Sequence, residues 1–81
     1  MPKRIKIKVV ERKLGREKAL GQQWPGIIEI DPGQKSRTYL DTLIHEALHE
    51  CFPETSETRI VQVSRAITKV IWDKHYRRIR Q

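Results

Sequence analysis

The sequence predicts an α+β fold, two β-strands followed by two helices, and three observations carry that prediction. Apolar and polar residues alternate in "RIKIKVV" and "IIEID", the period of a strand with one buried face. Further along, apolar residues recur every three or four positions, at Leu40, Leu43, Ile44, Ala47, Leu48 and Cys51 and again at Ile60, Val63, Ile67, Val70 and Ile71, which is the helical period. Pro32-Gly33 and Pro53 punctuate these segments.

Strand one is "RIKIKVV", with Ile5, Ile7 and Val9 on the face expected to be buried and Lys6 and Lys8 on the other. The segment "ERKLGREKALGQQWPG" mixes charge, glycines and a Trp-Pro-Gly turn signal; it reads as an irregular connection with room for a short helical turn at Glu17 to Leu20. Strand two is "IIEID", β-branched and stopped by Pro32-Gly33. The first helix is expected from Ser36 or Thr38, where Thr38 and Asp41 have capping-box spacing, to Pro53. The second should start after Thr55 or Ser56 as N-cap, with Glu57 in its first turn, and bury a stripe from Ile60 to Lys74 before its basic end frays.

The chain has 81 residues and is read as a single domain, 1–81, with a small core, since short chains bury a smaller share of their surface than long ones. No apolar run approaches the roughly 18 residues of a membrane span, and the basic start has no signal-peptide core. The expectation is a cytoplasmic protein without a membrane partner. One cysteine, Cys51, excludes an intramolecular disulfide and a four-thiolate zinc site. The net charge of +7 is uneven: residues 1–18 hold eight Lys/Arg against two acids, 19–58 two against seven, and 59–81 seven against one. Two basic arms thus flank an acidic centre, and such arms attract nucleic acid or keep a small protein soluble.

The first helix carries "LIHEALHE" at 43–50. Residues four apart lie one above the other on a helix, so His45 and His49 can offer their imidazoles to one metal ion. Glu46 is turned about 100° from His45, beside the ion, where a carboxylate serves as general base. Zinc in such a site lowers the pKa of its water to about 7 and polarises a carbonyl, which makes hydrolysis of a peptide or protein substrate the expected chemistry. The bland alternative is two polar histidines on an exposed helix face.

A catalytic zinc site needs a third protein ligand. Glu57 is the first choice, because a sharp turn at Phe52 to Thr55 would swing the second helix back across the first. An acid in a first turn also complements the helix dipole without any metal. Glu54, in the turn, is the next candidate. Glu50 is expected off the ligand face, toward solvent or a basic side chain, and His75 lies roughly 27 Å along the second helix from Glu57, too far to share an ion.

The stretch "IIEIDPGQKSRTYLDTLIHEALHECFPETSE" resembles the core of the HExxH zincin metallopeptidases, most of all the short SprT-like and phage-type proteins. In those, a strand ending in an Asp-Pro-like turn leads to the motif helix, then to a link carrying "SE" and a long second helix. The resemblance covers Ile27 to Trp72. It implies His45 and His49 as zinc ligands, Glu46 as general base, Glu57 as third ligand, and strand two as the sheet edge above the site, where a peptide could add as a further strand. The chain departs from larger members in having no substrate subdomain.

The other conspicuous residues have structural readings. Tyr39 should pack at the helix start, Trp24 should cover one end of the sheet or, as the alternative, form part of a substrate rim, Trp72 should pack, and Cys51 should be a small buried residue. The alternative to a hydrolase is a zinc-stabilised binding module whose basic termini dock nucleic acid or a protein partner.

Overall fold

A computed structural model describes residues 5–15 and 21–79. It is α+β, with three strands and two helices in the order β1 Lys8–Glu11, β2 Gly21–Trp24, β3 Ile27–Ile30, α1 Ser36–Cys51 and α2 Glu57–Asp73. The expected turn at Glu17 to Leu20 lies outside the described residues.

One strand more is present than the pattern predicts. β2 lies within the segment read as irregular, and it pairs antiparallel with β3, Gly21 opposite Ile30 and Trp24 opposite Ile27. The connection is the two-residue turn Pro25-Gly26, with Gly26 at φ +78°, where proline followed by a residue of positive φ suits a type II turn. β2 lacks β-branched residues and draws its order from the neighbouring strand. The sheet order is β1-β3-β2, with β1 parallel to β3. "IIEID" is therefore the central strand and not the edge, and the edge beside the helices is β2.

Ile28 and Ile30 are fully buried on the inner face of β3. Val9 is in register with Ile28, yet it is 45% exposed and Ile5 is 64% exposed. The expected buried face of the first strand is thus open at Ile5 and Val9 and half-buried at Ile7, because α1 packs on β2 and β3 and makes no close backbone approach to β1. Trp24 is also 53% exposed. Its register partner Ile27 puts it on the outer sheet face, where its indole N–H donates to Glu29, so it does not cap the sheet.

α1 is the middle layer: it contacts the sheet on one side and α2 on the other, and α2 makes no close backbone approach to a described strand. It begins at Ser36 after Lys35, which makes no side-chain cap. The anticipated Thr38–Asp41 box is absent, since Asp41 accepts instead from the Thr68 hydroxyl of α2 at 3.0 Å. α2 has its expected cap, the Ser56 side chain accepting from Arg59 N–H. Its buried residues are Ile60, Ser64 and Thr68, so the buried stripe follows a four-residue spacing, and Val70 and Lys74 lie outside it, exposed. Small hydroxyl residues at 64 and 68 fit the narrow seam against α1. Leu14, in the segment read as irregular, is fully buried. No described helix is long and apolar enough to cross a membrane.

Candidate metal centre

Three contacts fix α1 against the sheet and so aim its motif. The Gly26 amide donates to Glu50 Oε1 at 2.7 Å, joining the C-terminal part of the helix to the hairpin turn. Glu50 therefore faces the hairpin, off the ligand face as expected. The Thr42 hydroxyl donates to Gln34 Oε1 at 2.7 Å, while Gln34 Nε2 donates to the Asp31 carbonyl. Gly21 lies so close to α1 that a Cβ there would sit 2.7 Å from Thr42 Cγ2 and 3.2 Å from Glu46 Cγ.

Glu57 is brought to the motif by the short link after α1. Phe52 N–H closes the helix on the Leu48 carbonyl, and Thr55 N–H donates to the Phe52 carbonyl. The chain reverses there and Ser56 starts α2, so the first residue of the new helix faces His45 and His49. Glu57 Oε1 lies 2.9 Å from His45 Nε2 and Oε2 lies 2.6 Å from His49 Nε2. The two Nε2 atoms are 3.2 Å apart, and the rings meet edge-on at 63°. Among the described residues, these three form the group of metal-capable side chains with donor atoms drawn together; Glu54 is exposed and outside it.

The donor set fits zinc. Ligand bonds of about 2.0–2.1 Å in a tetrahedron put neighbouring donors roughly 3.3 Å apart; the two Nε2 atoms match this at 3.2 Å, and one donor atom from each of the three residues lies within 4.8 Å of the others. Two imidazole nitrogens at 3.2 Å cannot each carry a proton aimed at the other. A shared cation satisfies both nitrogens and the carboxylate at once, with two neutral nitrogens and one anionic oxygen, a common catalytic zinc set. Without a cation the same atoms form a carboxylate bridged to two histidines.

Glu46 is beside this cluster and half-buried. Burial pushes its carboxyl above the ordinary range, the nearby His45 and His49 pull it down, and Glu57 adds to the rise. A cleft of about 370 Å³ lies against it, with walls that include Gly21, Thr42, His45, Val61, Ser64 and Arg65. The edge strand, the motif helix and the second helix therefore meet at one opening.

The remaining candidates fall elsewhere. Tyr39 packs at the start of α1 as expected; its hydroxyl donates to Glu11 at 2.8 Å, and the Arg78 guanidinium lies 4.1 Å from its ring centroid. Burial and the Glu11 hydrogen bond raise its phenol above the usual value. His75 is exposed at the end of α2, and Cys51 is a partly buried free thiol. Trp72 packs beneath Arg77, whose guanidinium is 3.5 Å from its ring centroid. The β2 edge and Arg65 were not legible as site residues. The Trp-Pro-Gly-Ile turn held a usable signal, because a two-residue turn before a strand implies a strand ahead of it. Compared with known protein families, curated proteins and solved structures, the chain has no match.

Proposed function

We propose that the protein is a zinc-dependent hydrolase, a small single-domain metallopeptidase of the cytoplasm, acting on a peptide or protein substrate. The convergence of His45 Nε2, His49 Nε2 and Glu57 on one point carries this reading, and the HExxH resemblance to zincins agrees with it. Zinc, when bound, supplies acidification of a water and polarisation of a carbonyl.

The chain's own groups do the rest. His45, His49 and Glu57 would hold the ion, while β2, as the terminal strand of the sheet, offers backbone groups along which an extended peptide aligns. Glu46 takes a proton from water on its carboxylate as the water oxygen bonds to the carbonyl carbon. The same carboxyl returns the proton to the leaving nitrogen when the C–N bond breaks. Elemental analysis tests the ligands: about one zinc per chain in the wild type and in Glu54→Ala, and loss of metal in His45→Ala, His49→Ala and Glu57→Ala. Glu46→Gln should retain zinc and lose turnover; turnover persisting in that variant would remove Glu46 as the base.

The other reading, a zinc-stabilised module docking nucleic acid or protein through basic termini, has less support. Arg78 is occupied by Glu11 and the Pro32 carbonyl, and Arg77 by Trp72, so part of the C-terminal arm is folded onto the domain.

A further inference from the structure

The cleft at His45 and Glu46 shares two walls, Asp41 and Arg65, with a second groove of about 470 Å³ that continues past Thr68 to Arg37 and Lys69. The two form a trough along the seam of α1 and α2. Its charge is unbalanced. Lys69 is paired with Asp73 at 2.6 Å, and Asp41, which accepts the Thr68 hydroxyl and keeps its charge, leaves two arginines facing one carboxylate in the outer groove. Arg65 and Arg37 are both exposed, and neither has a salt bridge within 4 Å among the described residues; Arg37 lies 5.9 Å from the Trp72 ring centroid and acts on the Asp73 carboxylate only at longer range.

We infer that the trough selects acidic peptides, Arg65 and Arg37 binding carboxylate side chains on one side of the hydrolysed bond. The inference rests on the hydrolase reading and names its substrate class. A guanidinium fork matches a carboxylate bidentately, and the two arginines continue directly from the cleft that holds Glu46. A peptide fits this arrangement better than a nucleic acid. A peptide brings a neutral amide to the inner end, beside Glu46, and charge only farther out, at Arg65 and Arg37. The β2 edge at Gly21 adds backbone pairing that a nucleic acid cannot use.

The test is binding to the full-length, zinc-loaded Glu46→Gln protein, read by fluorescence anisotropy. The probes are a labelled peptide of about ten residues with paired glutamates on one side and the same peptide with glutamines in their place. The acidic peptide should bind about tenfold more tightly, and Arg65→Ala should weaken it about fivefold to tenfold while leaving the glutamine peptide unchanged. Arg37→Ala should act in the same direction, and Arg65→Lys should retain part of the preference. Equal affinity for the two peptides, binding of neither, or an Arg65→Ala effect common to both would overturn the inference. So would a single-stranded oligonucleotide that displaces the acidic peptide through Arg65 with higher affinity. Because the readout needs no turnover, an inactive wild type would count against the hydrolase and leave the arginine-dependent preference to be judged on its own.

Discussion

His75 ends α2 in a left-handed conformation, φ 66°. Its N–H donates to the Trp72 carbonyl and that of Tyr76 to the Ile71 carbonyl, the paired bonds of a Schellman motif, in which the left-handed position favours glycine. Histidine there carries a strain of roughly 1–2 kcal/mol, partly offset by the greater unfolded-state freedom of glycine. His75→Gly should therefore stabilise the protein by about 0.5–1 kcal/mol, seen as a rise of a few degrees in melting temperature. Asp31 is a second informative residue. Its carboxylate accepts the N–H groups of Leu14 and Gly33, which hold its pKa below the ordinary value. A depressed folded-state pKa gives stability that is present above the unfolded value of about 3.9 and is lost as pH falls through the folded one. Asp31→Asn should accordingly be less stable than wild type at pH 7, and the gap between their melting temperatures should close as the solution is acidified past that range.

At the scale of elements, the helices were legible and the sheet was half so. The spacing from Leu40 to Cys51 has one helical interpretation, and Ser56 before Glu57 marked the start of α2. β2 was hidden because Gly21-Gln22-Gln23-Trp24 has little strand propensity of its own; pairing with Ile27–Ile30 imposes its conformation. Edge and centre could not be told apart either, since "IIEID" alternates in either place and strand order depends on which neighbours pair. The motif histidines were readable from local geometry, and Glu57 from its place in a first turn, while Arg65 and the Gly21 approach depend on how three elements meet. That approach makes Gly21→Ala a sharp probe: the added methyl collides with Thr42 and crowds Glu46, so β2 must shift away from α1 at a cost of about 1–3 kcal/mol. Ser56→Ala should cost about 1 kcal/mol by loss of the N-cap. It should also weaken zinc binding, because Glu57 stands in the turn that frays, whereas His75→Gly, at the other end of the same helix, should leave zinc affinity unchanged.

For the molecule as a whole, the four fully buried apolar residues among those described, Leu14, Ile28, Ile30 and Ile60, are a small core, and ligation adds to it by linkage. Zinc at a free concentration a hundred times its dissociation constant would stabilise the fold by about 2.7 kcal/mol. Chelation should lower the melting temperature correspondingly in the wild type and leave His49→Ala unmoved; equal responses in the two would place the ion elsewhere. The three donors also sit close together along the chain, from position 45 to 57, on two helices joined by one tight turn. Closing so brief a loop costs little entropy, and neither β1 nor β3 supplies a donor. The cation can thus clasp the helical hairpin while the sheet is still unpaired, and zinc should quicken refolding from denaturant as well as retard unfolding, a division that stopped-flow measurements with and without the ion would reveal.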